Sequence, residues 1–169
     1  MSTEEVSVAE VSSFETVVGA GLGGGFLGGI AMGVILHGGA DMMTFIGALY
    51  GSPTIPAGWI AHLVNSVILG LVFAMVISRP RLHLRIETFV EYAIAGMVYA
   101  TAVGLAVAGI MLPISMRVMD LHAFPQPLPV EGMLGEFLVV TSVAVAHLVY
   151  GILLGVTYCG IVRAMAPDG

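Results

Sequence analysis

The chain has 169 residues, of which 58% are hydrophobic and 9% are charged, and its formal net charge is −6 with no lysine. Soluble domains usually carry about a quarter charged residues, so this composition excludes an ordinary water-soluble domain, and the negative charge disfavours a nucleic-acid partner. The one cysteine, Cys159, excludes an intramolecular disulfide.

The first element is an acidic leader, residues 1–16, and four apolar stretches follow it. Each stretch is long enough to cross a bilayer, which takes about 20 apolar residues per helix. The predicted transmembrane helices cover residues 17–36, 59–78, 90–112 and 134–162. An Arg-rich loop at 79–88 separates the second and third helices, and a short tail at 164–169 ends the chain. The predicted fold class is an all-α membrane protein with the lipid bilayer as its surroundings.

The arginines indicate the orientation of these helices. Arg79, Arg81 and Arg85 lie between the second and third helices and Arg163 follows the fourth, whereas Arg117 alone lies between the third and fourth. Cytoplasmic loops carry the excess of positive charge. We therefore expect a multi-pass protein of the cell membrane with both termini and the 79–88 loop in the cytoplasm.

An internal repeat organises the chain. The sequence Ala-His-Leu-Val occurs at 61–64 and again at 146–149, an offset of 85, and residues 14–33 align with 89–108 at an offset of 75. The repeat predicts two tandem transmembrane hairpins, 17–78 and 89–163. A unit with two spans keeps its orientation, so we expect a parallel repeat with a pseudo-two-fold axis along the membrane normal.

Small residues recur every four positions along the predicted helices. Such stripes let helix backbones approach closely, and they also suit a homo-oligomer or contacts with partner membrane subunits. The predicted packing residues are Gly21, Gly25, Gly29, Gly33, Gly96, Gly104, Ser66, Gly70, Gly151 and Gly155.

Two outer segments connect the helices of each hairpin. Residues 37–58 read as a short amphipathic helix followed by a turn at Gly51 and Pro53. Residues 113–133 contain Pro125, Pro127 and Pro129, which favour an extended path. Both segments are expected to cap the outer end of the bundle.

The duplicated polar residues His62 and His147 are the main candidates for function. At 1.5 Å per residue, His62 lies about 25 Å from Arg79 and His147 about 24 Å from Arg163, so both lie at a similar depth in the outer leaflet. In one interpretation they are neutral and bond across helices to a backbone carbonyl or a polar side chain, namely Ser66, Asn65, Tyr99 or Tyr150. In the other they bind a haem b iron from two sides.

A copper site is a second cofactor hypothesis. Seven of the 11 methionines fall near the predicted outer end, and thioether and imidazole ligands suit copper(I). The competing interpretation is that methionine fills irregular apolar gaps. The candidate ligands are His37, Met116, Met119 and His122.

The run from Ala146 to Gly155, together with the Gly/Ala-rich third helix ending at residues 111–113, resembles a family of small four-span membrane proteins known as a domain of unknown function. The resemblance implies an architecture and no catalytic residues. No nucleophile constellation surrounds either histidine. We therefore expect a non-enzymatic protein, either an accessory subunit of a membrane complex or a small channel or sensor unit with a paired-His layer in its outer leaflet. The alternative is a subunit for electron transfer or metal handling.

Overall fold

The computed structural model describes residues 13–83, 86–121 and 132–165, and all regular structure in these ranges is helical. Four helical segments, Phe14–Ala40, Ile55–Ile77, Phe89–Val118 and Met133–Ala164, are long and apolar enough to cross a membrane. The prediction of an all-helical chain with four helices long and apolar enough to span a membrane is therefore confirmed. The elements in chain order are α1 Phe14–Ala40, α2 Met42–Ala48, α3 Ile55–Ile77, α4 Pro80–His83, α5 Phe89–Ala106, a π-helical turn Val107–Met111, α6 Leu112–Val118 and α7 Met133–Ala164.

Side-chain caps determine where three of the spans begin. The Ser13 hydroxyl accepts from the Thr16 backbone N–H at 3.2 Å and starts α1. Thr54 caps α3 in the same way, and Thr88 with Glu91 forms a capping box at the start of α5. These caps satisfy backbone N–H groups that have no partner within the helix. These three helices therefore begin one to four residues before their predicted starts.

The third span is longer than the sequence predicts. Helix continues through Pro113 to Val118, whereas we expected an outer segment to begin at residue 113. The π-helical turn places Pro113 in the first turn of α6, where its missing N–H is tolerated. The prolines at 125, 127 and 129, for which we expected an extended path, lie outside the described residues.

Helix α1 lies between two neighbours, because it packs against both α3 and α7, and α7 in turn packs against α5. The short helix α2, which occupies the predicted first outer segment, packs on α3. Side chains join α5 to α3: the Tyr99 hydroxyl donates to the Leu69 carbonyl at 2.7 Å, and the rings of Phe73 and Tyr99 have centroids 5.4 Å apart. The four spans therefore form a bundle in the order α3, α1, α7, α5.

Glycines set the distances between these helices. A Cβ on Gly25 would lie 2.7 Å from the Ser66 carbonyl oxygen of α3, and one on Gly24 would lie 2.9 Å from the Leu154 carbonyl oxygen of α7. Gly96 and Gly151 contact each other in the same close manner where α5 meets α7. Small residues on two faces of α1 thus allow this helix to contact two spans at once.

The two helix pairs use different registers. Gly70 of α3 lies against Gly21, but Gly155 of α7 lies against Tyr92. In the sequence alignment Gly70 corresponds to Gly155 and Gly21 corresponds to Gly96, one turn beyond Tyr92. Compared with the position of α1 along α3, helix α5 is therefore shifted by about one helical turn along α7.

Candidate functional site

His62 is a buried and fully packed residue of α3, with 6% of its surface exposed. Its Nε2–H donates to the Gly29 carbonyl of α1 at 2.9 Å. The ring meets Trp59 edge to face, with centroids 6.3 Å apart, and its Cδ2 lies beside Gly33. The Ser66 hydroxyl also donates to the His62 carbonyl at 2.8 Å. This imidazole thus joins α3 to α1.

His147 is half-buried on α7, and its environment is different. Its Nδ1–H donates to the Val143 carbonyl, one turn earlier on the same helix, at 2.8 Å. The ring edge formed by Cδ2 and Nε2 lies against Gly104 of α5. Every buried side-chain nitrogen or oxygen in the described ranges has a hydrogen-bond partner. Since Nε2 of His147 has none there, this atom is accessible.

These bonds assign the ring tautomers. A carbonyl oxygen only accepts, so the bonded nitrogen of each ring must carry the hydrogen. In the neutral forms, the lone pair is therefore on Nδ1 of His62 and on Nε2 of His147. The sequence alone could not distinguish these nitrogens. The expected bond across helices to a backbone carbonyl is present for His62, whereas the bond of His147 lies within α7.

The rings of the two histidines do not stack on each other within the described residues. His62 contacts α1 and uses its Nε2 there, whereas His147 contacts α5 and leaves its Nε2 free. A haem shared by both rings would require His62 to give up its bond to Gly29. The bis-His haem site stays a prediction, and in this conformation the Nε2 atoms are not both free.

The predicted copper ligands are spread over the outer end of the bundle. His37 is exposed and contacts the Trp59 ring, with centroids 6.1 Å apart. Met116 and Met119 are half-buried, and the Met119 methyl group approaches Gly51. His122 lies outside the described residues. Within the described ranges, no three His, Cys, Asp or Glu side chains are close enough to hold a metal ion together.

The other outer methionines differ in burial. Met32, Met42 and Met43 belong to the buried core, whereas Met111 and Met133 are exposed. Burial of the first three is what a gap-filling role requires. Copper binding stays a prediction.

None of the polar side chains that we considered as histidine partners bonds to an imidazole ring within the described residues. The Tyr150 hydroxyl crosses over Gly28 and donates to the Ser66 carbonyl at 2.7 Å, which joins α7 to α3. The Asn65 amide donates to the Tyr50 hydroxyl at 2.6 Å and links α3 to the end of α2. A signal for the first contact is present in the sequence, because Gly28 provides the space that the Tyr150 ring needs.

The space above each histidine is filled differently in the two helix pairs. Trp59 and its contact Gly33 align with Ala144 and Ala108. Trp59 packs against Gly33, but Ala144 and Ala108 are both exposed. Helix α5 packs closely on α7, whereas the described π-helical turn and α6 form no comparable pair with α7. Position 144 of α7 carries no large side chain equivalent to Trp59.

Comparison with known proteins gives no relative: no family model matches the chain, and no curated protein or solved structure is significantly similar to it.

Proposed function

We propose that the chain is a non-enzymatic subunit of a membrane assembly and that its third span is the surface through which it assembles. This proposal rests on the small fraction of the third span that is buried inside the protein. In the most apolar window of Phe89–Val118 only 6% of the residues are buried inside the protein, against 39%, 33% and 28% in the first, second and fourth spans. This window of the third span is therefore almost entirely exposed, although α5 itself packs closely on α7.

Lipid can cover an apolar surface, but two features of this one favour a protein partner. Val107–Met111 forms a π-helical turn with no buried residue, and π-helical turns often mark functional positions. Gly109 in this turn has nothing within 4 Å of where its Cβ would be. Interfaces between membrane helices are enriched in small residues. A partner helix would pack against this turn.

The finer architecture belongs to the same proposal. Both termini are in the cytoplasm, the protein resides in the cell membrane, and the hairpins are parallel repeats of one ancestral unit. The partner is either a second copy of the chain or a larger membrane complex. The resemblance to small four-span proteins of unknown function supports this architecture.

Cysteine cross-linking in native membranes tests the surface. In a Cys159→Ala background, Ile110→Cys introduces a thiol on the π-helical turn, where Ile110 is 62% exposed. The matched control is Ile60→Cys on α3, which replaces the same residue type at 66% exposure near the same end of the bundle. A maleimide that carries a photoreactive diazirine should cross-link Ile110→Cys into a discrete larger species and leave Ile60→Cys monomeric.

The mass of the cross-linked species identifies the partner. A band at twice the mass of the chain indicates a homo-oligomer, whereas a band containing another protein indicates an accessory role. Equal cross-linking of both variants, or none from either, contradicts assembly through the third span.

A further inference from the structure

The outer end of the third span is a short helix with a well-formed cap. After α6, Asp120 adopts the left-handed conformation with a φ of 55°, and the Leu121 N–H donates to the Met116 carbonyl at 2.8 Å. This is the bond of a Schellman motif, which commonly pairs two apolar side chains across the helix end. Leu121 and Met116 both pack against the buried core. Residues 112–121 therefore form one local unit.

This unit has few contacts with the rest of the bundle. No residue of the π-helical turn or of α6 is buried, and within the described residues neither element packs closely on α1, α3 or α7. One face of α6 is half-buried at helical spacing, through Leu112, Ser115, Met116 and Met119. The Met119 methyl group approaches Gly51 in the turn between α2 and α3. A segment with so few buried contacts opens at a lower free energy than a packed core.

The junction between α5 and α6 has three features that allow it to bend. The Leu112 N–H donates to the Val107 carbonyl, five residues earlier, which is the bond of a π-helical turn. Pro113 has no N–H and therefore omits the next backbone bond. Gly109 tolerates backbone angles that other residues rarely adopt. Prolines and π-helical turns are the usual sites of helix kinks.

The inner part of the same span is held on two sides. Gly96 contacts Gly151 of α7, and the Tyr99 hydroxyl donates to the Leu69 carbonyl of α3 at 2.7 Å. The third span thus has a fixed inner part and a weakly attached outer part, with the π-helical turn between them.

We infer that residues 112–121 are a rigid arm that swings about the π-helical turn Val107–Met111, and that the contact of Met119 with Gly51 keeps the arm in its closed position. In the open position the arm leaves the turn between α2 and α3, while α5 stays on α7. This inference concerns a single chain and does not rest on assembly through the third span.

Distances between spin labels, measured by pulsed electron resonance with one chain per nanodisc, test the arm. In a Cys159→Ala background, Ile114→Cys on the arm is paired with Ile60→Cys on α3. The control pair is Val98→Cys on α5 with Ile68→Cys on α3, beside the bond of Tyr99. These four residues are 59%, 66%, 65% and 52% exposed, so the labels do not enter the core. We expect one narrow distance from the control pair and a closed and an open population from the arm pair.

Substitutions at the contact and at the turn should shift these populations in opposite directions. Met119→Ala removes the contact with Gly51 and should raise the ratio of open to closed arms about fivefold, whereas Met119→Leu keeps an apolar side chain and should change the ratio less. Gly109→Ala should lower the ratio roughly twofold to fivefold, because alanine favours the helical backbone. The matched control is Gly38→Ala on α1, since a Cβ at either glycine would meet nothing within 4 Å.

A single narrow distance from the arm pair that neither Met119→Ala nor Gly109→Ala shifts overturns the inference. Equal broadening of both label pairs also overturns it, because the whole third span would then move on the bundle. If Met119→Ala fails to fold, the comparison of Gly109→Ala with Gly38→Ala decides, and equal ratios in those two variants contradict a hinge at the π-helical turn.

Discussion

At the scale of single residues, the same four-residue sequence, Ala-His-Leu-Val, gives two histidines with different environments. His62 bonds across to α1 and packs under Trp59, whereas His147 bonds within its own helix. The difference comes from the neighbours, since Trp59 aligns with Ala144 and the helix pairs differ in register. One histidine therefore stabilises the bundle and the other leaves a nitrogen available.

This difference predicts unequal costs of substitution. His62→Ala removes a bond between helices and opens a cavity beside Trp59, so we expect it to lower the free energy of unfolding by about 2 kcal/mol or more. His147→Ala removes a half-buried ring and a bond within one helix, and it should cost less than about 1 kcal/mol. Thermal unfolding of both variants in the same detergent, followed by the loss of monodisperse protein, measures the order.

If His147→Ala lowered the free energy of unfolding more than His62→Ala does, His147 would be the structural residue, and its Nε2 would not be available.

Sequence alone could predict that both histidines lie on packing faces, because each continues a four-residue series of small residues. It could not predict which nitrogen bonds to what, since that depends on the register between helices and on Trp59 and Ala144 one turn away.

At the scale of helices, small residues carry more information than hydrophobic ones. The spans are apolar on nearly all sides, so hydrophobic periodicity cannot show which face is inside. The series Gly21, Gly25, Gly29 and Gly33 does mark the face of α1 that meets α3. The second contact face, at Gly24 and Gly28, was not predicted, because it follows from the position of α1 between two neighbours.

Two glycines of α1 provide a matched test of this packing. A Cβ on Gly25 would lie 2.7 Å from the Ser66 carbonyl oxygen and 3.0 Å from the Val67 Cα, whereas one on Gly19 would meet nothing within 4 Å. Gly25→Ala should therefore destabilise the bundle by about 1–3 kcal/mol, the usual cost of overpacking. Gly19→Ala should be neutral or stabilise the helix by up to about 1 kcal/mol.

Unfolding in mixed micelles with increasing denaturing detergent compares the two variants with the wild type. Equal stabilities of the two variants would mean that α1 and α3 separate easily, and that the glycine stripe does not hold them together.

The π-helical turn at Val107–Met111 has no comparable sequence signal, because its residues are ordinary helix formers apart from Gly109 and the proline that follows at 113.

At the scale of the whole molecule, the helix ends opposite α2 and α6 are joined by polar contacts. Arg163 at the end of α7 donates to the Glu87 carbonyl, and its guanidinium lies 4.7 Å from the centroid of the Phe89 ring at the start of α5. The Arg-rich segment lies at this same end, where the one-turn helix α4 follows α3. Arg163 thus has a packing role, and the positive-inside rule predicts that the arginines at this end also set the orientation.

Orientation is the last prediction, and it depends on four arginines at one end against Arg117 at the other. In a Cys159→Ala background, Ser52→Cys marks the loop between α2 and α3, and Glu87→Cys marks the opposite end without removing an arginine. Acidic residues contribute little to topology, so the second variant should keep the native orientation. In intact cells a membrane-impermeant maleimide should label Ser52→Cys, whereas Glu87→Cys should react only after the membrane is permeabilised. The opposite pattern would place both termini outside and would move His62 and His147 to the cytoplasmic leaflet.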